Sequence, residues 1–344
     1  MDKLILSKKV ILCAGTGGVG KTTISAALGV RAAILGRKVL VLTVDPAQRL
    51  ATALGINRLQ SEDLLVPNQN FPGKLYAAVV ESQSVFDSFI RENIKSESLV
   101  KKILRNRIYL RLSTGFSGSQ EFTALERFLK SYTSEKYDLI ILDTPPTGHA
   151  INFLDGAAKL EALFQDSVVK WFMKPIGNQN ILLSFVSRGT NLAFKALEMI
   201  TGAEFVTELV EFFSDVFGLK DILVQRMKKV REIFAQQDSA FVLVTSFDSL
   251  KMNEAKIFRE ELMSRGFELS AVIVNRCFPE TKAEEIPPKV RPYYQALQKF
   301  YQVHREALAS LKTTVGTGVE FIEVSDFDQE VYDLKSLEEL SRAL

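Results

Sequence analysis

Cysteine is nearly absent from this chain of 344 residues, in which only Cys13 and Cys277 occur. Two cysteines cannot make a disulfide scaffold or a four-thiolate metal site, so a reducing cytoplasmic environment is expected. The chain also lacks a run of 18 apolar residues and a signal-peptide layout at its N-terminus. These absences exclude a membrane-spanning helix and favour a soluble intracellular protein.

Charge of one sign is not in excess either, because 43 basic residues stand against 41 acidic ones. Nucleic-acid-binding proteins usually carry a basic excess on one face or segment. The chain contains no internal repeat and no low-complexity segment. We therefore expect no nucleic-acid partner and a single catalytic unit.

The sequence does contain a complete phosphate-binding motif, G-x-x-x-x-G-K-[ST]. It consists of Gly15-Thr16-Gly17-Gly18-Val19-Gly20-Lys21-Thr22. In this motif backbone N–H groups wrap a polyphosphate, the lysine reaches the β- and γ-phosphates, and the hydroxyl residue holds Mg²⁺. An apolar strand run (10–14) precedes it, and a helix of small residues (23–33) follows with its positive end toward the phosphates. The motif predicts that the protein binds a nucleoside triphosphate together with Mg²⁺.

Apolar runs of strand length recur along the chain with helical stretches between them, at 10–14, 39–44, 75–80, 139–142, 241–244, 271–274 and 321–324. Continuously apolar strands indicate a sheet covered on both faces, and intervening helices indicate parallel crossovers. We predict an α/β fold with a doubly wound, mostly parallel sheet and its ligand at the carboxyl ends of the strands. Residues 1–344 are expected to form one domain, with helical insertions at 83–132 and 151–236 that make a helical subdomain.

The second insertion carries apolar residues at helical spacing, which form one stripe: Val206, Leu209, Val210, Phe213, Val216 and Phe217. Phe205 and Phe212 lie outside this predicted stripe. The stripe is consistent with packing against the sheet or a neighbouring helix. It is also consistent with an exposed groove for an apolar client or partner, because aromatic faces rimmed by charge often serve that use.

Two carboxylates end strands at the edge where the ligand is expected. Asp143 begins the segment Asp143-Thr144-Pro145-Pro146-Thr147-Gly148-His149, at the place where P-loop proteins put the acidic partner of Mg²⁺, usually acting through a water. Asp45 ends the second strand and could orient the attacking water, although it could also simply cap the following helix. His149 is either a sensor of the γ-phosphate or a packed loop residue.

Asn275 and Arg276 follow the strand run 271–274. A side-chain amide at this position can read the exocyclic and ring nitrogens of adenine with a paired donor and acceptor. We therefore include both residues among the candidates for nucleotide binding.

Together these segments resemble the ArsA-type ATPases, a family that includes the arsenite-pump ATPase and the guided-entry ATPase that delivers tail-anchored membrane proteins. The resemblance rests on the phosphate loop with Thr23, on Asp45-Pro46-Ala47, on the segment 143–149 and on Val274-Asn275-Arg276. It runs in order over nearly the whole chain, and the segment 45–51 looks most like the bacterial ArsA-like branch.

The resemblance implies specific roles for these residues and a dimer that closes on ATP and opens after hydrolysis. It places Lys21 at the β/γ-phosphates, Thr22 at Mg²⁺ and Thr23 near the α-phosphate. It makes Asp45 the water-positioning residue of switch I, Asp143 part of switch II and Asn275 a contact to adenine.

Three features depart from the family pattern. Thr16 occupies the position of the family's signature lysine, which reaches across the dimer to the partner's phosphates; such trans charges are worth several orders of magnitude in rate. The chain has no Cys-x-x-Cys pair near Cys277 that could clamp a dimer through zinc. Two separated cysteines also provide neither a metalloid-binding thiolate cluster nor the ligands of an iron–sulfur cluster.

These observations leave several functions open. The leading hypothesis is an ATP-hydrolysing dimeric switch whose helical subdomain holds an apolar client or a membrane-protein partner. A second is a low-turnover nucleotide-binding subunit, paired with a paralogue that supplies the lysine that Thr16 replaces; Arg49 or another cation could also substitute. A third is an anion-pump motor, and a kinase-like transferase on the same scaffold is a minor alternative.

Overall fold

The computed structural model describes residues 1–45, 48–115, 117–145, 154–155, 199, 201–278, 286–326 and 331–344. The predicted segment 146–149, with His149, and most of 151–200 lie outside these residues. Among the described residues, no helix is both long enough and apolar enough to cross a membrane.

An eight-stranded sheet forms the centre of the fold. Its strands are β1 (Val10–Gly15), β2 (Lys38–Thr43), β3 (Leu64–Leu65), β4 (Lys74–Val79), β5 (Leu139–Asp143), β6 (Ser239–Ser246), β7 (Leu269–Cys277) and β8 (Glu320–Ser325). They follow the order β3-β4-β2-β5-β1-β6-β7-β8, and all neighbours are parallel except β3 with β4. The predicted doubly wound, mostly parallel sheet is confirmed, whereas the short edge strand β3 was not predicted.

Every residue of β1 and β5 is buried, as continuous apolar runs require in a sheet covered on both faces. The described helices are α1 (Asp2–Ser7), α2 (Lys21–Ile34), α3 (Arg49–Ala53), α4 (Ser82–Asn93), α5 (Glu97–Arg105), α6 (Arg107–Gly115), α7 (Ser117–Thr133), α8 (Ala203–Val216), α9 (Lys220–Phe234), α10 (Ser249–Ser264), α11 (Arg291–Phe300), α12 (Gln302–Val315) and α13 (Leu334–Arg342).

The chain divides into two compact units. The first consists of Met1–Glu81, Arg127–Phe153 and Glu232–Leu344 and contains the whole sheet. The second consists of Ser82–Glu126 and Leu154–Arg231, and its described secondary structure is helical. The second unit overlaps the predicted insertions 83–132 and 151–236, while the assignment of 1–344 to one domain stays a prediction.

Helix α8 of the second unit carries the predicted apolar stripe, but its buried side differs from the prediction. The buried residues are Val206, Phe212 and Val216, so the placement of Phe212 outside the stripe was wrong. The Phe212 ring lies 6.4 Å from the ring of Tyr109 in α6, a tertiary contact that helical spacing alone does not reveal. The other members of the stripe are half-buried: Leu209, Val210, Phe213 and Phe217.

Asp63 in the first unit collects three donors from a distant stretch of the chain. It forms an ion pair with Arg127, lies 3.3 Å from Lys136 Nζ and accepts a hydrogen bond from the Tyr137 hydroxyl. Burial raises the pKa of the Asp63 carboxyl, but the hydrogen bonds and the charge of Arg127 outweigh burial, so that its pKa is lowered. The cluster thus ties the loop before β3 to α7 and to the start of β5.

Replacing Asp63 with asparagine is expected to destabilise the protein by about 1.5–3 kcal/mol at neutral pH, because charged hydrogen bonds are lost. A group whose pKa is lowered by folding stabilises above its unfolded pKa and loses that effect as pH falls through the folded pKa. The difference between wild type and Asp63→Asn should therefore be constant at neutral pH and shrink below about pH 4. Denaturant unfolding at a series of pH values measures this; a difference that grows on acidification would contradict it.

Candidate nucleotide site

The phosphate loop joins the end of β1 to the start of α2. Gly20 has a φ of 86°, in the left-handed region that favours glycine, and a Cβ there would lie 2.4 Å from Asn275 Nδ2. A Cβ at Gly15 would lie 2.3 Å from the carbonyl oxygen of Val244. Both glycines are therefore required by close packing in the loop and not only by a bound phosphate.

The middle of the loop is open, in contrast to its two ends. Gly17 and Gly18 are exposed, and no described atom lies within 4 Å of where their Cβ atoms would stand. Val19 is buried, and Thr16 is 4% exposed with a hydroxyl that has no hydrogen-bond partner among the described residues. An exposed glycine backbone beside an unpaired buried hydroxyl is the arrangement expected where a polyphosphate approaches the main chain.

Asp143, fully buried at the end of β5, brings the site together. Its Oδ1 accepts a hydrogen bond from Lys21 Nζ at 2.6 Å, and its Oδ2 accepts from Thr22 Oγ1 at 2.8 Å. Thr43 Oγ1, at the end of β2, also donates to Oδ2 at 2.8 Å. Lys21 donates a further hydrogen bond to the carbonyl of Thr144. Ser25 Oγ makes a longer hydrogen bond to Oδ1, at 3.5 Å. A buried carboxylate is tolerated here because it has a cation and three hydroxyl donors.

Asp45 is connected to this carboxylate through Thr43. The backbone N–H of Asp45 donates to Thr43 Oγ1 at 3.1 Å, while that same hydroxyl donates to Asp143. A continuous hydrogen-bonded chain therefore runs from Thr22 through Asp143 and Thr43 to the backbone of Asp45. We call this chain the Thr43 relay.

The side chain of Asp45 faces Arg49, whose Nη1 lies 3.3 Å from Asp45 Oδ2. The N-cap of α3 is Gln48, which has a φ of 58° and makes no side-chain cap. Asp45 therefore does not occupy the capping position, which was the structural alternative to a role in water positioning. Arg49 is 68% exposed, so the pair lies at the protein surface.

Asn275 and Arg276 lie within β7, and not after it, because the strand continues to Cys277. The amide of Asn275 is buried and donates to the carbonyl of Val19 at 3.0 Å, so it supports the phosphate loop. Arg276 is exposed and has a φ of 56°, an uncommon conformation for a residue with a side chain. The contact of Asn275 to adenine remains a prediction.

The two cysteines lie in β1 and β7 and are both buried. Burial raises the pKa of each thiol to about 12, so neither is a thiolate near neutral pH. In the part of the chain that the structure describes, no group of three or more His, Cys, Asp or Glu residues could hold a metal ion by itself. A thiolate site for a metalloid is therefore not formed by the described residues.

Sequence reasoning identified Lys21, Thr22 and Asp143 but missed the hydroxyls around them. The sequence pattern indicates only that Thr43 belongs to a strand, and that Ser25, which donates to the carbonyl of Lys21 at 2.9 Å, belongs to a helix. A threonine at the end of an apolar strand that neighbours the Asp143 strand is the signal that could have revealed Thr43.

The residues present fit both a nucleotide and Mg²⁺. The loop supplies open backbone at Gly17 and Gly18 and a cation on Lys21. Because the Thr22 hydroxyl donates its hydrogen bond to Asp143, its oxygen lone pairs are available to a hard cation. A phosphate loop between β1 and α2 and a carboxylate at the end of the adjacent strand define a P-loop nucleoside triphosphatase.

Comparison with known proteins specifies this class further. Residues 8–344 match the family of anion-transporting ATPases, the ArsA ATPases, and the chain belongs to that family. The protein is accordingly an ATPase. This confirms the resemblance drawn from the motifs of the sequence.

Curated relatives with related names match most of the chain. A putative arsenical pump-driving ATPase 1 of Aquifex aeolicus is 27% identical over 98% of this chain and 78% of its own length. A putative arsenical pump-driving ATPase of Prosthecochloris vibrioformis is 22% identical over 96% of this chain and 73% of its own. The ATPase GET3 of Malassezia globosa is 24% identical over 78% of this chain and 73% of its own.

Proposed function

We propose that the protein is a dimeric ATP-driven switch, in which the nucleotide at the phosphate loop controls the helical second unit and its binding of an apolar client or membrane-protein partner. The observation that carries the proposal is the Thr43 relay. It connects the loop that would hold the phosphates to the segment that would position the attacking water. A site built only to bind a nucleotide does not need this connection.

Each residue of the site has a chemical task in hydrolysis. Lys21 would offer its cation to the β- and γ-phosphates, Thr22 would offer an oxygen to Mg²⁺, and Thr23, in the first turn of α2, would contact the α-phosphate. Mg²⁺ would neutralise phosphate charge and orient the phosphate oxygens when bound. Asp45 orients the attacking water, and Asp143 holds the hydroxyl of Thr22 in place.

The relay explains how occupancy could be communicated. Lys21 Nζ forms an ion pair with Asp143, so a bound polyphosphate would compete with Asp143 for the same cation. A carboxylate that loses its cation strengthens its hydrogen bonds to the remaining donors, which here are Thr22, Thr43 and the more distant Ser25. The change would reach the backbone of Asp45 through Thr43. It would also be transmitted from Asp143 directly along the chain to Thr144 and Pro145.

The apolar side of α8 supports a client or partner role for the second unit. Leu209, Val210 and Phe213 of α8 are only half-buried beside the buried Phe212, and Phe217, directly after the helix, is half-buried as well. Half-buried apolar side chains on a single helix give a partner additional surface to cover. Whether the dimer consists of two identical chains or includes a paralogue is measured by light scattering with and without Mg-ATP.

The substitution Thr43→Val tests the switch, because valine keeps the shape of threonine and removes its hydroxyl. We expect ATP turnover to fall about tenfold or more, with a smaller change in nucleotide affinity, because the relay orients residues and does not itself hold phosphate. We expect hydrogen exchange of α8 to respond to a nonhydrolysable ATP analogue in the wild type and to lose that response in Thr43→Val.

Thr245→Val is the matched control for this experiment. Thr245 is also fully buried, near the end of strand β6 in the same sheet, and its hydroxyl has no hydrogen-bond partner among the described residues. We expect Thr245→Val to leave turnover unchanged and stability equal or higher, because an unpaired hydroxyl is replaced by an apolar group. If the two variants behaved alike in turnover and in exchange, the relay would have no role in the switch.

Thr16 favours a second candidate, a low-turnover subunit that acts with a lysine-bearing paralogue. Thr16 is buried, and its neutral hydroxyl cannot supply the trans charge that the family's lysine provides. The family also contains anion-pump motors, but the two buried, protonated cysteines do not suit arsenite.

The substitution Thr16→Lys distinguishes these candidates. In a self-sufficient enzyme, it should change turnover only a few fold in either direction. In a subunit that depends on a partner's lysine, turnover of the purified chain should be negligible and should rise by about 10³-fold or more on substitution. Steady-state hydrolysis, measured beside Mg-ATP binding by calorimetry, separates failure to bind from failure to hydrolyse.

A further inference from the structure

The segment that carries Asp45 begins at Thr43, the last residue of β2, and reaches the start of α3 at Gln48. Its first end is fixed, because Thr43 is paired within the sheet and donates a hydrogen bond to Asp143. The N–H of Asp45 in turn donates to Thr43 Oγ1. The far end of the segment has an anchor of its own, which is the side chain of Gln48.

The side-chain amide of Gln48 pairs with the backbone of a single distant residue, Leu59. Gln48 Oε1 accepts from the N–H of Leu59 at 2.9 Å, and Gln48 Nε2 donates a longer hydrogen bond to the Leu59 carbonyl at 3.5 Å. Leu59 is only 2% exposed and belongs to the hydrophobic core of the first unit. We call this pair of hydrogen bonds the Gln48 clamp, because it attaches the segment of Asp45 to a fixed point in the core.

The residue after Leu59 is held by the sheet. The carbonyl of Gln60 accepts a hydrogen bond from the N–H of Val79 at 3.0 Å. Val79 is the last residue of β4, and it lies opposite Thr43 in the register of β2 and β4. Both ends of the segment that carries Asp45 are therefore held at the same edge of the sheet.

Gln48 also adopts a backbone conformation that a side chain disfavours. Its φ is 58° and its ψ is 17°, in the left-handed region. Its carbonyl accepts from the N–H of Thr52 at 2.9 Å, so α3 begins from this conformation. Left-handed residues with a Cβ persist where their surroundings hold them, and they concentrate at functional sites. At Gln48 the clamp to Leu59 supplies that hold.

We propose that Gln48 is a positioning residue for ATP hydrolysis, which acts by holding the far end of the segment that carries Asp45. The inference rests on the proposed function, in which Asp45 orients the attacking water. With both ends of a short segment held, the Asp45 carboxylate is confined to a narrow range of positions before the nucleotide binds. A displacement of about 1 Å at a group that orients a reactant can cost about 10²-fold in rate.

A clamp of the same kind lies away from the site and provides the comparison. Gln69 Oε1 accepts from the N–H of Leu75 at 2.7 Å, and Gln69 Nε2 donates to the carbonyls of Val66 and Leu75 at 2.7 and 3.1 Å. Gln69 is half-buried, as Gln48 is, and it also lies in the first unit. Leu75 is near the beginning of β4, at the opposite end of that strand from Val79. Loss of either clamp should lower stability, but only loss of the Gln48 clamp should slow hydrolysis.

Gln48→Asn tests the proposal, because asparagine keeps the amide and tolerates the left-handed conformation but is one methylene too short to reach Leu59. We expect kcat to fall about tenfold or more while KM for ATP changes by no more than about threefold. Gln48→Gly, which adopts the left-handed conformation freely, should show the same loss. In the Asp45→Asn background, Gln48→Asn should lower kcat by no more than about twofold, because a residue that acts through Asp45 then has nothing left to position.

Gln69→Asn is the matched control. It should keep kcat and KM within about twofold of the wild type, with a loss of melting temperature comparable to that of Gln48→Asn. A fall of kcat in Gln69→Asn as large as in Gln48→Asn would overturn the proposal. So would a full further loss from Gln48→Asn in the Asp45→Asn background, because the effect would then come from the stability of the fold.

The same variants separate this proposal from the role given to Asp45. If Gln48→Asn and Gln48→Gly kept the kcat of the wild type while Asp45→Asn lost it, Gln48 would have no positioning role and the role of Asp45 would stand. If Asp45→Asn also kept wild-type kcat, both roles would fail. In a chain without measurable turnover, the affinity for ADP with aluminium fluoride relative to that for ADP replaces kcat in every comparison, because such an analogue reports binding of the transition state.

Discussion

Substitution of Asp143 by asparagine is expected to reduce ATP turnover by about 10²–10³-fold, the effect of losing one preorganised polar group in an active site. Asp143 accepts hydrogen bonds from Lys21, Thr22 and Thr43 on two carboxylate oxygens. Asparagine offers one acceptor oxygen and places an N–H₂ donor where another donor already points. The substitution also leaves Lys21 without its counter-charge, so we expect a loss of about 3–5 kcal/mol of stability.

The control for this experiment is Asp138→Asn. Asp138 precedes the same strand, β5, and its carboxylate accepts from the backbone N–H of Lys38 at 2.8 Å, at the amino ends of β5 and β2, opposite the strand ends that carry the phosphate loop. Steady-state hydrolysis, Mg²⁺ titration and thermal melting are measured on both variants at a temperature where both are folded. Turnover of Asp143→Asn within tenfold of the control, with an unchanged dependence on Mg²⁺, would contradict the role assigned to Asp143.

Substitution of Asp45 by asparagine is expected to lower kcat by about 10²–10⁴-fold while KM changes little, because a residue that orients or activates water acts mainly in the transition state. The fold should be preserved, since the hydrogen bond of Asp45 to Thr43 uses its backbone and not its carboxylate. Hydrolysis under steady-state and single-turnover conditions measures the chemical step apart from product release.

Arg49→Gln provides the comparison for Asp45→Asn. If the pair of Arg49 with Asp45 is only an exposed ion pair, its loss changes little, and turnover should remain within a few fold of the wild type. A loss in Arg49→Gln as large as that in Asp45→Asn would instead identify Arg49 as the cation that compensates for Thr16. If both variants had the kcat of the wild type, Asp45 would have no role in hydrolysis.

The parts of the site that were predictable are those that a short stretch of sequence specifies. The phosphate loop is one continuous motif, and Asp143 ends an apolar run beside a distinctive Pro-Pro segment. The same holds for the parallel strands, whose continuous apolar runs reflect burial on both faces. Strand β3 has only two residues, both exposed, and therefore left no pattern to recognise.

The remaining features depend on contacts between distant residues. The hydroxyl of Thr43 meets Asp143 only because β2 and β5 pair in a register that places these two residues side by side. The amide of Asn275 reaches Val19 across 256 positions of sequence. The burial of Phe212 depends on Tyr109 in a helix about a hundred residues earlier, which periodicity within one helix cannot reveal.

The strand order has a consequence for how the protein is synthesised. Strand β1 pairs with β5 on one side and with β6 on the other, and most of the second unit is encoded between these two partners. At about 5–20 residues per second on the ribosome, roughly 5–20 seconds separate the emergence of Asp143 from that of Ser239. During that interval the central strand exposes an unpaired apolar edge, which is a site for aggregation. Asn275, which supports the phosphate loop, emerges later still, so a nascent chain cannot complete its nucleotide site until β7 has also been synthesised.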